Sequence, residues 1–167
     1  MQILLRPWLT SDAQALAAQA NNRNIFANLR DAIPQPYTVL DAMDWISKVS
    51  GHQPPQNFAI TWGDTVVGSI GCTPKDDVYR RNIEVGYFVG EYYWGKGIAS
   101  KAVGLLLEYI AREFEATRVY AEVFENNFAS MRVLLKNGFH LEGIRRKAVI
   151  KNNVVMDDLI WVKFLGG

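Results

Sequence analysis

The chain has a single cysteine, Cys72, so an internal disulfide is excluded. It has two histidines, His52 and His140, far apart and with no cluster of ligands beside them, so no metal site is expected. Neither sign of charge is in excess: 18 Lys and Arg stand against 17 Asp and Glu, a net +1. That balance argues against nucleic acid or an anionic membrane surface as the main partner. No apolar run approaches the ~20 residues that cross a bilayer. The start, Met1-Gln2-Ile3-Leu4-Leu5-Arg6-Pro7, lacks the apolar stretch of a signal peptide. With the lone thiol, this points to a reducing, cytoplasmic setting.

Hydrophobic residues make up 49% and charged residues 21%, which suits one domain over residues 1–167 with a substantial core. Alternating and β-branched stretches predict strands over 2–7, 57–62, 65–73, 82–90, 118–124, 139–150 and 154–165. Gly63-Asp64 reads as a hairpin turn, and Lys151-Asn152-Asn153 joins the last two strands. Apolar spacing of three to four predicts helices over 12–20, 24–29, 40–49 and 98–115, and a last one running from Ser130 to Lys136. Ser11 and Gln14 form a candidate capping box for the first. The 40–49 helix is expected to face inward with Leu40, Met43, Ile46 and Val49. The 98–115 helix is long enough for a crossover, so strands 82–90 and 118–124 should be parallel neighbours. The expected class is α/β (α+β): a mixed, mostly antiparallel sheet of about six or seven strands, with helices on both faces.

The stretch from Ile83 to Ala99 stands out as strand, glycine-bearing turn and helix start. Gly95 and Gly97 flank Lys96, and glycine lets backbone N–H groups approach a ligand with no Cβ between. A helix start adds unpaired donors and the positive end of the dipole, which together suit a phosphate. Neither common nucleotide motif is present: position 100 is Ser with no third glycine, and Lys96 is followed by Gly97. An ordinary strand-to-helix turn is the plain alternative.

Trp94-Gly95-Lys96-Gly97-Ile98-Ala99 resembles the pyrophosphate loop of the GNAT N-acetyltransferases, Arg/Gln-x-x-Gly-x-Gly/Ala, with Gly97 and Ala99 at its fourth and sixth positions. Trp94 departs from the Arg or Gln usual at the first. The stretch Asn127 to Phe139, the opening Leu5-Arg6-Pro7-Trp8 and the strand Ile83 to Tyr87 also resemble the ribosomal-protein-serine/alanine N-acetyltransferase subfamily. The resemblance covers nearly the whole chain. It implies a splayed pair of parallel strands, 82–90 and 118–124, with the pantetheine of acetyl-CoA lying in the gap. It further implies that the backbone of Phe88 and Val89 pairs with pantetheine and that the amides of Trp94, Gly95, Lys96, Gly97, Ile98 and Ala99 hold the pyrophosphate. Asn127 should reach the pantetheine arm, and Ser130 should lie near the sulfur.

Acyl transfer to an amine needs the amine deprotonated, the carbonyl oxygen stabilised and the thiolate received. Glu84 shares a strand face with Gly86, which puts a carboxylate beside the cleft; burial there is expected to raise its pKa and make it a base, directly or through water. Its plain alternative is a salt-bridged or solvated carboxylate. Ser130 either donates to the departing sulfur or caps a helix. A backbone N–H near Tyr87 or Phe88 is a candidate for the carbonyl oxygen. Cys72 reads as a core residue, His52 and His140 as surface residues, and Tyr92-Tyr93-Trp94 as packing beneath the loop. Lys96 is either beside phosphate or solvated. The tyrosine that many GNAT enzymes place near the sulfur has no counterpart in the closing strand, which offers Asp157, Asp158 and Trp161. The segment 24–37 and the closing hairpin are expected to line the acceptor cleft, with Asp31, Glu84, Asp157 and Asp158 as attractors for a cation.

The reading is an acetyl-CoA-dependent transfer to a primary amine, with a protein N-terminal α-amine favoured by the resemblance. A small-molecule acceptor (polyamine, aminoglycoside or amino compound) is the alternative within the same chemistry. A non-catalytic acyl-CoA-binding module is the alternative outside it. A homodimer is left open.

Overall fold

Alternation of side chains decides which layer each strand faces. β5 (Arg118–Phe124) buries Val119, Ala121 and Val123 and leaves Tyr120, Glu122 and Phe124 partly open. β4 (Asn82–Val89) buries Ile83, Val85 and Val89 in the same way. In the computed structural model, which describes residues 1–166, these strands lie near the middle of one seven-stranded sheet. The others are β1 (Ile3–Pro7), β2 (Asn57–Trp62), β3 (Thr65–Pro74), β6 (His140–Lys151) and β7 (Val154–Phe164), in the order β1-β2-β3-β4-β5-β7-β6. Every neighbouring pair is antiparallel except β4 and β5, which are parallel and joined by the crossover helix α4 (Ile98–Glu113).

The parallel pairing is short. It runs from Asn82 opposite Arg118 to Glu84 opposite Tyr120 and then stops. The outer edges of the two strands are paired much further. β3 follows β4 from Ile83 to Val89, and β7 follows the whole of β5. Both strands are thus held from outside while a gap opens between them.

Helices cover both faces, as expected. On one face α4 and α5 (Phe128–Lys136) bury Ile98, Val103, Leu106, Ile110 and Leu134 against the sheet. On the other, α1 (Ala13–Ala20) and α3 (Val39–Val49) bury Leu16, Ala20, Ala42 and Ile46. A single-turn helix, α2 (Arg23–Phe26), lies between those two in sequence and is shorter than the expected 24–29 helix. No helix among the described residues is long and apolar enough to cross a membrane.

The expected inward face of α3 is corrected. Leu40 and Met43 are exposed, while Ala42, Trp45, Ile46 and Val49 pack inward. Both stripes have helical spacing, so spacing alone does not choose between them. The Trp45 indole does: it meets Trp8 edge-on, with ring centroids 5.5 Å apart, and so turns its own stripe toward the sheet.

The Ser11–Gln14 capping box is also corrected. Residues Thr10–Asp12 form a tight turn that opens α1, and Asp12 does the capping by accepting the Leu9 N–H at 2.8 Å. The same carboxylate receives Arg6 through two bonds of 2.7 and 2.9 Å. A buried carboxylate needs such a partner, and Asp12 is buried. At the far end, Asn152 and Asn153 turn the β6–β7 hairpin with φ of +50° and +62°, the left-handed pair of a tight hairpin turn. β6 shifts register against β7 between Leu141 and Gly143 and again between Arg145 and Val149, where Lys147 has φ +53°.

The Arg6 hydrogen bonds hold the Asp12 carboxyl below the ordinary value, against burial and with help from the Leu9 amide. Asp12→Asn should therefore lower the unfolding free energy at neutral pH by about 1.5–3 kcal/mol. Because the folded-state pKa is the depressed one, the ionic contribution is complete above the unfolded value near 3.9. It is lost as pH falls through the folded value. Urea unfolding curves of parent and variant, well separated at neutral pH, should converge on acidification below about pH 4.

Candidate active site

Where β4 and β5 part, a cleft of about 1010 Å³ opens. Glu84, Gly86, Tyr87 and Phe88 line it from β4, and Ala121, Glu122, Val123 and Phe124 from β5. Asn127 and Ser130 border it at the start of α5. The loop residues Asn28 to Pro34 and the hairpin residues Ala148 to Lys151 close its other side, as expected for the 24–37 segment and the closing hairpin.

Gly95 and Gly97 both take the left-handed conformation, with φ of +73° and +75°. A Cβ at either would meet nothing within 4 Å, so the space over the turn is open. Gly97 precedes α4, no side chain caps the helix, and the first-turn amides have no intrahelical partner. An open, uncapped start on a 16-residue helix fits a pyrophosphate. Two of the expected contacts are already engaged. The Trp94 N–H donates to the Glu91 carbonyl at 3.1 Å, so of the expected amides only those of residues 95–99 remain as candidates. The Val89 carbonyl accepts the Trp94 indole N–H at 2.7 Å. Phe88 and Val89 pair with Ser69 and Gly68 of β3. Lys96 folds back, donating to the Tyr92 carbonyl at 3.0 Å. Of the aromatic cluster, Tyr93 packs on Trp62, while Tyr92 is exposed.

Asn127, expected at the pantetheine arm, caps α5: its Oδ1 accepts the Ser130 N–H at 3.2 Å. Ser130 is therefore not the cap, and its hydroxyl is free for another partner. It lies 2.7 Å from the Tyr87 hydroxyl. Burial pushes the Tyr87 phenol up to about 12, the Ser130 hydrogen bond pulling the other way. Alternation puts Tyr87 on the same strand face as the buried Ile83, Val85 and Val89. Its body is there, but its hydroxyl reaches the cleft at Ser130, and no local pattern marks that.

Glu84 lies in the cleft as expected, but its environment is corrected. Lys75 Nζ is 2.8 Å from its Oε2 and Arg30 Nη2 is 2.7 Å from its Oε1. Burial pushes its carboxyl up, but the Lys75 hydrogen bond and the Arg30 charge outweigh that, and the net shift is downward. The expected upward shift counted desolvation and missed the two cations. Arg30 also reaches Glu122 at 3.0 Å, and Arg145 joins Glu122, at 2.9 Å, to Asp158. Asp157, expected among the carboxylates of the cleft, is not in it; it binds Arg146 and the Lys147 N–H instead. Adjacent strand residues point to opposite faces, so Asp157 and Asp158 cannot both enter. Glu122, on β5, lines the cleft instead. Asp31 pairs with the buried Lys151 at 2.7 Å, tying the loop to the hairpin.

The side residues behave as expected. Cys72 is buried, and burial pushes its thiol up to about 12, away from reactivity. His52 is exposed against the Val49 carbonyl, and His140 lies against Phe164.

Residues 2–140 match the sequence profile of the acetyltransferase (GNAT) domain. The chain is 30% identical over 164 residues to a probable N-acetyltransferase, YjcK, of Bacillus subtilis, covering 93% of this chain and 90% of that protein. It is 29% identical over 108 residues to the ribosomal-protein-serine acetyltransferase of Escherichia coli, covering 65% and 60% of the two. The fold superposes on RimL, a ribosomal L7/L12 α-N-protein acetyltransferase solved with coenzyme A, with a TM-score of 0.87, 22% identity and 99% and 95% coverage. On the matched profile and on the near full-length similarity to YjcK, the chain belongs to the GNAT N-acetyltransferase family.

Proposed function

We propose that the chain acts as one acetyltransferase domain that moves the acetyl group of acetyl-CoA directly to a primary amine, and that the amine is a protein N-terminal α-amine. The observation that carries this is the Glu84 carboxylate at the splay, held by Lys75 at 2.8 Å and Arg30 at 2.7 Å. A carboxylate paired with two cations is a weak proton acceptor, so the site suits an ammonium that gives up its proton readily once bound. An α-ammonium titrates near 8 and is about a fifth neutral at pH 7.4; an alkyl ammonium titrates near 10.4 and is about a thousandfold less neutral than charged there. Glu84 would then take the proton through water rather than drive a difficult deprotonation. The relative named as a ribosomal-protein-serine acetyltransferase supports the same acceptor class. A small amino compound with a similarly acidic ammonium is the second reading, and the size of the open cleft accommodates either.

The pyrophosphate would sit on the amides of residues 95–99, and the pantetheine in the gap beside Val89 and Asn127. Ser130 would donate to the departing sulfur. Its own hydroxyl is a weak acid, but Tyr87 behind it remains protonated at neutral pH and can polarise it through their 2.7 Å contact.

Four outcomes test this. Gly97→Asp adds a side chain and a negative charge where phosphate must approach; calorimetry should find acetyl-CoA affinity reduced by at least about 100-fold, and unchanged affinity removes the cradle. Ser130→Ala should slow turnover by about 10- to 150-fold, one hydrogen bond to a charged group, with acetyl-CoA affinity within a few-fold. Tyr87→Phe should slow the parent but add little in the Ser130→Ala background, because the two act in series. For the acceptor, CoA release at pH 7.4 should be faster by at least about tenfold in kcat/KM for a Ser- or Ala-initiated peptide than for spermidine or an Nα-blocked lysine. The gap should narrow as pH rises. Preference for the alkyl amines at pH 7.4 would reverse the assignment.

A further inference from the structure

Arg30 stands between two carboxylates that belong to different strands. Its Nη2 donates to Glu84 at 2.7 Å and to Glu122 at 3.0 Å. Glu84 is the last residue of β4 paired with β5, and Glu122 lies just beyond Tyr120, its partner. The guanidinium therefore spans the mouth of the splay. The two carboxylate side chains are only 18% and 22% exposed, whereas Arg30 is 65% exposed and rides on the loop between α2 and α3. The anions are built into strands, and the cation is brought in from outside.

The charge balance points the same way. Lys75 remains on Glu84, and Arg145 remains on Glu122 and Asp158, whatever Arg30 does. With Arg30 in place three cations face three carboxylates; with Arg30 withdrawn one negative charge is left over. One ammonium group restores it. Asp158 supplies a second, independent sign of a ligand. It lines the same cleft, it is 2% exposed, and its Oδ1 has no hydrogen-bond partner among the described residues. A buried carboxylate oxygen left bare is destabilising until a donor reaches it.

We propose that Glu84 and Glu122 form the seat for the ammonium group of the acceptor, and that the Arg30 guanidinium occupies this seat until the acceptor displaces it. The inference rests on amine acetylation in this cleft and adds the residues that select the amine. Exchange of one cation for another leaves neither carboxylate unpaired at any stage, which avoids the penalty of an uncompensated charge. Uncharged acceptors cannot make that exchange. Asp158 Oδ1 offers a further acceptor for an N–H of the incoming group. Arg30 is a specificity-determining residue here, acting through the seat it fills.

The test uses Arg30→Ala, Arg30→Gln as a longer neutral replacement, and Arg30→Lys, with methylguanidinium as the probe. Titration calorimetry should detect methylguanidinium binding to Arg30→Ala at least about tenfold tighter than to the parent, as one or two ion pairs of partial exposure allow. Adding Glu122→Gln to Arg30→Ala should abolish that binding. In CoA-release assays Arg30→Ala and Arg30→Gln should lower the KM for the amine about 3- to 10-fold. Acetyl-CoA affinity should stay at the parental value, and Arg30→Lys should stay near the parent in KM. A loop that Arg30 merely braces would not yield a tighter KM or a methylguanidinium site. Equal methylguanidinium binding by parent and Arg30→Ala, or a raised KM, overturns the proposal. If the parent binds acetyl-CoA but acetylates no amine tested, the acceptor reading fails, and the methylguanidinium titration alone decides the seat.

Discussion

The sheet stops pairing with itself near its middle, and the site depends on that interruption. β4 and β5 share a ladder of only three residue pairs before they diverge. Strand backbone that leaves a ladder must find other partners for its N–H and C=O groups. Here the outer ladders to β3 and β7 keep both strands extended, so the gap does not collapse. The Trp94 indole takes one exposed carbonyl, and the rest of the edge faces the cleft. The crossover helix that makes the strands parallel starts uncapped, just after β4 and the turn that follows it.

Around that gap the side chains alternate in charge: Lys75, Glu84, Arg30, Glu122, Arg145, Asp158. Each of the three carboxylates meets at least one cation, and only one oxygen of Asp158 is left without a partner among the described residues. A cleft of this kind does not accumulate charge of one sign; it exchanges partners. The hydroxyl pair of Tyr87 and Ser130 makes no contact with this chain of ions.

Much of this was legible in the residues. The periods of β2, β4 and β5 located the strands closely, and the 98–115 helix announced the parallel pair, because alternation and crossover length are local properties. Gly95 and Gly97 were legible for the same reason. Three things were not. The inward stripe of α3 depended on Trp45 meeting Trp8, a contact between segments far apart in sequence. The ion partners of Glu84 depended on Arg30 and Lys75 arriving from separate loops, so burial was counted without the charges that oppose it. The role of Asn127 as cap, with Ser130 turned to Tyr87, depended on where α5 begins, and both residue types suit a cap equally well.

β6 is a long strand at the border of the sheet, with one side unpaired, and most of its residues are exposed. An open border of that kind invites another chain to add itself and grow the sheet between molecules. The break in register between Arg145 and Val149, with Lys147 in a left-handed conformation, bends the strand at its middle. Three successive basic residues, Arg145, Arg146 and Lys147, sit at that bend. A second molecule cannot lay a straight strand along a kinked, positively charged rim. The same kink that carries Arg145 toward Glu122 and Asp158 therefore guards the protein against fibril-like self-association.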